Sequence, residues 1–213
     1  MFESYKRATN AIVSLVNRTG ASGNRAVATL ASKEVQEKFL NAARRCATYG
    51  LALGAYSELS LRLNKTHFLT LKQGTPLAEA RSDDLVILNV TPTGEDMPQF
   101  SPSNVVLHQL VYAATAQNAV LFCHPRYASL VLSSGSMPDF ACLPGLEALT
   151  GTVTLCALSN LEASLGDTQQ LYLRDLGLLS LGSTPYQALE RATYLEWICW
   201  QNLHARGMTF EPT

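Results

Sequence analysis

The chain is poor in charge. Of its 213 residues 15% are Asp, Glu, Lys or Arg, against 47% hydrophobic, and the charges nearly cancel to a formal net charge of -1. DNA, RNA and anionic membrane surfaces require clustered Lys and Arg of a partner, so the balance excludes a nucleic-acid role. Long apolar runs are missing as well: no stretch reaches the roughly 18 residues of a membrane-spanning helix. No N-terminal segment joins a basic start, an apolar middle and a small-residue cleavage site. No P-loop, dinucleotide-binding glycine turn, His-Glu-x-x-His, Cys-x-x-Cys or nucleophile elbow occurs. The cysteines, Cys46, Cys123, Cys142, Cys156 and Cys199, are odd in number, scattered and mostly set in apolar stretches. They read as reduced core thiols rather than a disulfide framework, and the expectation is a cytoplasmic protein with no membrane partner.

What is present is enough apolar side chain for one substantial core, with an excess that self-association would cover. A homo-oligomer is therefore expected. Two segments are distinguished. Residues 1–31 carry Phe2, Tyr5, Ile12, Leu15 and Val16 near helical spacing, followed by a Gly- and Ser-bearing tether. This amphipathic helix packs on its own domain or a neighbour's, or serves as a regulatory arm. Residues 32–213 form the main domain. Ser32 caps a helix whose face carries Val35, Phe39, Leu40 and Ala43, and which stops before Gly50. Leu59 to Leu63 alternates with period two, and Phe68 to Leu71 and Leu85 to Leu88 are further strands.

Pro102 opens a second helix at its first position, running to about Gln117 with Val105, Val106, Leu110 and Val111 as its stripe. Ala119 to Cys123 is a strand apolar on both faces that leads into His124-Pro125. Leu171 to Arg174 and Leu178 to Leu181 flank the turn Asp175-Leu176-Gly177. Thr184-Pro185-Tyr186-Gln187 starts a last helix that ends at Gly207. Strands and helices so mixed predict a layered α/β or α+β domain.

Among the histidines, His67, His108, His124 and His204, none is spaced to form a local metal motif with another. His124 stands out because it ends a buried strand, where layered folds place active residues. Its neighbour Cys123 points to the opposite face, so the two do not share a metal unaided. A hydrogen-bonded structural histidine is the plainer reading. His108 and Tyr112, four apart on one helix face, are expected to stack or hydrogen-bond within the core.

From about Ser32 to Gly207 the sequence resembles the class II aldolase/adducin family. The resemblance rests on Tyr49 to Leu63 (YGLALGAYSELSLRL), Asp83 to Asn89 (DDLVILN), Ser101 to Tyr112 (SPSNVVLHQLVY), Ala119 to Ala128 (AVLFCHPRYA) and Leu171 to Gly182 (LYLRDLGLLSLG). It implies an α/β fold, a three-layer α/β/α sandwich around a mixed, largely antiparallel sheet. It also implies a homotetramer with a cleft between subunits that holds a small-molecule ligand.

The resemblance further implies a zinc site that this chain has lost. The second of two paired zinc histidines falls on His124, while the first falls on Phe122 and the third on Leu176. Neither hydrocarbon side chain has a lone pair for a metal. The acid/base Glu falls at Asn104, whose amide does not titrate. The family's phosphate-contacting Asn becomes Glu58, an anion that repels phosphate unless Lys72 or an arginine from elsewhere compensates. On these matches the site candidates are His124, Asn104 and Tyr127 for chemistry, and Glu58, Ser60, Lys72, Gly74 and Ser103 for ligand contact. No cofactor is expected, with zinc held only through replacement ligands such as Cys123, His124 and Asp175. The resulting reading is a non-catalytic binding or assembly scaffold. The alternatives are an enzyme of altered chemistry on a small carbonyl or hydroxy compound, with His124 as base and Tyr127, Arg126 or Glu58 as helpers, and a metal-dependent lyase with replacement ligands.

Overall fold

The computed structural model describes Val27, residues 29–91, residues 104–205 and Gly207. The apolar stripe from Phe2 to Val16 lies outside these residues, as do Ser101, Pro102 and Ser103.

Helix α1 (Lys33–Thr48) begins where the sequence predicts: the Ser32 hydroxyl accepts from the Val35 N–H at 3.3 Å, satisfying one of the first-turn donors. Its buried face carries Phe39, Leu40, Ala43 and Cys46. The chain then builds strands β1 (Glu58–Arg62), β2 (His67–Leu71) and β3 (Leu85–Asn89), followed by helix α2 (Val105–Ala114). Next come β4 (Ala119–Cys123), α3 (Arg126–Ser133), α4 (Leu146–Thr150), β5 (Val153–Cys156) and α5 (Leu161–Ser164). Strands β6 (Gln170–Leu173) and β7 (Gly177–Gly182) precede the terminal helix α6 (Pro185–Ala205).

The described strands form one seven-stranded sheet in the order β3-β2-β1-β4-β7-β6-β5. Every pairing in it is antiparallel except β5 with β6, which is parallel. Strand β4 lies at the centre, and its alternating side chains explain its unbroken apolar sequence. Ala119, Leu121 and Cys123 enter one core cluster, and Val120 and Phe122 enter the other. The first cluster is closed by α1, α3 and α6, through residues such as Phe39, Val131 and Leu195. The second is closed by α2 and α5, through Val111, Tyr112 and Leu161. Helices on both faces of a mixed sheet are the expected α/β sandwich.

The second helix departs from expectation: it starts at Val105, later than Pro102, and stops at Ala114 rather than near Gln117. Asn104 keeps a non-helical backbone because its N–H is turned onto the Glu58 carboxylate. Cys142 is exposed and not a core thiol, since it sits on the surface turn Phe140–Cys142. The start of α6 follows the capping pattern with one shift: Thr184 accepts from the Gln187 N–H at 3.1 Å, but the Gln187 side chain accepts from Ser183 at 2.7 Å and not from the cap residue. Gly207, at φ 76°, supplies the left-handed residue past the helix end.

Candidate functional site

Four segments converge at one end of the sheet: the start of β1, the start of α2, the end of β4 and the β6–β7 turn. Register sets this up, because Glu58 pairs with Phe122 and Phe122 with Leu179 across three adjacent strands. Glu58 is 7% exposed and fixed by neutral donors: the Asn104 backbone N–H reaches its two oxygens at 3.2 and 3.3 Å, and the Asn104 side-chain amide donates at 3.2 Å. Behind it lies His108, fully buried, with Nε2 3.4 Å from the carboxylate. Its Nδ1 is hydrogen-bonded with the Ser60 hydroxyl at 2.7 Å. The Ser60 oxygen meets the Tyr112 hydroxyl at 2.6 Å. Tyr112 is held in turn by the Arg62 guanidinium, 4.8 Å from its ring centroid. Burial pushes the Tyr112 phenol well above its ordinary range, so it stays a neutral donor.

His124 follows β4 directly. Its Nε2 donates to the Leu176 carbonyl at 2.7 Å, and its backbone N–H donates to the Leu51 carbonyl at 3.1 Å. Phe122 meets the imidazole edge-on, ring centroids 5.1 Å apart. Gly177 makes the turn possible: a Cβ there would lie 2.9 Å from the Cys123 carbonyl and 3.1 Å from His124 Nε2. The nearby Asp175 takes a left-handed backbone at φ 66°. His124 Nδ1 is buried with no hydrogen-bond partner among the described residues. Burial lowers the His124 pKa below 6.5, against the opposing pull of the Leu176 hydrogen bond and the Glu58 charge.

This donor set does not fit a zinc ion. Phe122 and Leu176 present carbon, and the one nitrogen of His124 that faces the turn is occupied by a peptide carbonyl. The replacement trio does not assemble either. Cys123 points into the first cluster, where burial holds its thiol far above the usual range, and Asp175 is exposed on the turn. Among the described residues no group of three His, Cys, Asp or Glu side chains is placed to hold a metal.

A pocket opens beside Glu58, between β1, the end of β2 and the turn that follows. Ser57, Glu58, Thr70, Lys72, Gly74 and Thr75 line it with neighbouring leucines. Glu58, Lys72 and Gly74, candidates from sequence, thus share one cavity. Ser60 is fully buried and committed to His108 and Tyr112. Tyr127 packs against the first cluster, while Phe122 and Leu176 belong to the second. Ser103 lies outside the described residues.

Sequence reasoning missed Glu196 of α6. Its carboxylate accepts from the Tyr127 N–H at 2.9 Å and the Ala128 N–H at 2.7 Å, capping α3 from across the first core. Burial raises its pKa, partly offset by these hydrogen bonds. No local signal links Glu196 to the start of α3, because Tyr127 lies 69 residues away along the chain. Ser60 had a clearer signal: the period-two strand puts it on the same face as Glu58, toward His108 and Tyr112.

No curated protein matches the chain. Among solved structures, L-fuculose-1-phosphate aldolase from Thermus thermophilus superposes with a TM-score of 0.67 at 23% identity, covering 80% of this chain and 94% of its own. An aldolase II superfamily protein from Pseudomonas syringae gives 0.66 at 25% identity, covering 84% of this chain and 79% of its own. L-fuculose 1-phosphate aldolase from Glaciozyma antarctica gives 0.68 at 21% identity, covering 94% of this chain and 84% of its own. The family described as the class II aldolase and adducin N-terminal domain matches residues 37–203, from within α1 to the last turns of α6, and the chain is a member of it.

Proposed function

We propose that the chain is a non-catalytic member of the class II aldolase and adducin family, a binding or assembly scaffold that lacks the zinc site and the acid/base carboxylate. The observation that carries this reading is the contact of His124 Nε2 with the Leu176 carbonyl at 2.7 Å, flanked by Phe122. Where a metal would need three electron-pair donors, two side chains are hydrocarbon and the imidazole closes a turn. Asn104 supports the same reading, since its amide serves to hold Glu58 and has no proton to exchange near neutral pH. On this reading the protein is cytoplasmic and assembles as a homo-oligomer, a tetramer by resemblance. Apolar side chains left exposed on the single chain, among them Tyr49, Leu53, Tyr56 and Trp197, favour such assembly.

Metal analysis of purified protein tests the proposal: sub-stoichiometric zinc after dialysis is expected, whereas one zinc per chain at nanomolar affinity overturns it. An assay of L-fuculose 1-phosphate cleavage, the substrate in the names of two structural neighbours, should show no activity.

A second reading, an enzyme of altered chemistry acting on a small carbonyl or hydroxy compound, is favoured by Glu58, an oriented carboxylate at a pocket wall. His124 is its weak point, because the nitrogen not bonded to Leu176 is buried. Turnover of any such compound that is abolished by His124→Ala would favour this second reading.

A further inference from the structure

The two edges of the sheet are guarded differently. Strand β5 forms one edge, in parallel register with β6, and the Thr152 and Cys156 carbonyls accept from the Gln170 and Arg174 N–H groups at 3.0 and 3.1 Å. Backbone groups alternate in direction along a strand, so the N–H and C=O of Val153 and Leu155 point away from β6, off the end of the sheet. Among the described residues no strand lies beyond β5 to meet them. From Gly151 to Leu161 the chain carries no Asp, Glu, Lys, Arg or Pro. The opposite edge, β3, is entered through Asp83 and Asp84 and left through Thr91 and Pro92, charge and proline of the kind that deter edge-to-edge pairing. Val153 and Leu155 pack only in part against the first core cluster, and Leu149 of the preceding helix α4 is 53% exposed.

An unguarded edge is a template for another strand, and β5 itself meets the requirement. We propose that β5 pairs antiparallel with β5 of a second copy about a twofold axis at Thr154, joining two sheets edge to edge. With Thr154 opposite itself, Val153 of each copy faces Leu155 of the other. These are the residues whose outward backbone groups can exchange both hydrogen bonds of a pair. Their side chains lie on one face of the sheet, so apolar groups meet across the axis. Self-pairing about a twofold sets any charge near the axis against its like, and this strand carries none. A second copy is thereby favoured over a foreign peptide, whose selection would need side-chain pockets or charges along the edge. The inference rests on reading the protein as an assembly scaffold and names the surface through which its copies join.

The test uses the full-length protein with Cys142→Ser and Cys156→Ser, because neither thiol is fully buried. Into this background Thr154→Cys is introduced and, as a control, Ser159→Cys, which lies beyond the strand and is more exposed. Residues facing each other at a non-hydrogen-bonded antiparallel pair have Cα atoms about 4.5 Å apart, within the reach of a disulfide. Mild oxidation should convert Thr154→Cys to a reducible dimer on a denaturing gel, and Ser159→Cys about tenfold less. A second measurement needs no oxidation. Thr154→Lys sets two ammonium groups face to face, so at equal concentration its sedimenting mass should be about half that of wild type, while Thr154→Ser keeps the full mass. Circular dichroism verifies that each variant is folded. No linkage at Thr154→Cys, equal linkage at Ser159→Cys, an unchanged mass in Thr154→Lys or an equal loss in Thr154→Ser each overturns the proposal. A wild-type multimer without linkage at Thr154→Cys removes this edge and leaves the assembly reading standing, whereas a wild type that sediments as single chains overturns both.

Discussion

The two faces of the sheet are packed by different means. The face covered by α1, α3 and α6 is hydrocarbon almost throughout its centre, with Leu121, Phe39 and Leu195 fully buried. The face covered by α2 carries, beside an equally buried cluster, the chain Tyr112, Ser60, His108 and Glu58. Dispersion and water exclusion are non-directional and tolerate a range of side chains of the right volume, whereas each hydrogen bond in a buried network is specific to its partner. The first face therefore ensures that the sheet is covered, and the second sets where Glu58 points.

The apolar face is the more sensitive to a single truncation. Leu121→Ala, at a fully buried site on the central strand, should cost about 2–5 kcal/mol through lost burial and the cavity it leaves, read as a lower denaturant midpoint. On the polar face, Ser60→Ala removes an oxygen that both His108 and Tyr112 need, stranding two buried polar groups. A loss of about 1–3 kcal/mol is expected, with Tyr112→Phe added to Ser60→Ala recovering part of it in a double-mutant cycle. Full additivity of the two substitutions would show that the network is not coupled.

Glu196→Gln probes the tie between the helical layer and the loop after His124. The amide keeps a single oxygen to accept from the Tyr127 and Ala128 N–H groups and loses the negative charge at the helix start, so stability should fall by about 1 kcal/mol, with faster amide exchange at the start of α3.

The smallest effect concerns pH. Burial holds the folded pKa of His124 below 6.5, so between that folded value and 6.5 the unfolded chain binds more protons than the folded one. The His124 contribution to stability should be complete above about pH 6.5 and decline as pH falls below it. Comparison of chemical denaturation on either side of that value, at neutral and at mildly acidic pH, should show a fall in wild type that is smaller in His124→Phe. An identical pH dependence in the two proteins would show that His124 does not titrate differently on folding.

Much of the fold was legible because its signals are local. Ser32 and Thr184 cap helices within a turn of their donors, the strict alternation of Leu59 to Leu63 suits a half-buried strand, and Ala119 to Cys123 must be covered on both sides. The missed elements β5, α4 and α5 are too short to show a period, and α3, with Ala128, Val131 and Leu132 buried at helical spacing, spans only about two turns. Of the candidate site, Glu58, Asn104, Phe122, His124 and Leu176 were singled out from sequence, and they come together at one end of the sheet. The hydrogen bonds that orient Glu58 and His124 were not legible, because each links residues 46 or more apart in the chain.

The helix caps, the doubly buried central strand and the presence of carbon at Phe122 and Leu176 follow from the order of residues alone, because each is a property of a side chain or its immediate neighbours. Packing was needed to commit the His124 proton to the Leu176 carbonyl, to aim Glu58 through Asn104 and to draw Lys72 toward Asp83. Those choices depend on which strands lie side by side, and strand pairing is settled by how the whole sheet fits between its two helical layers.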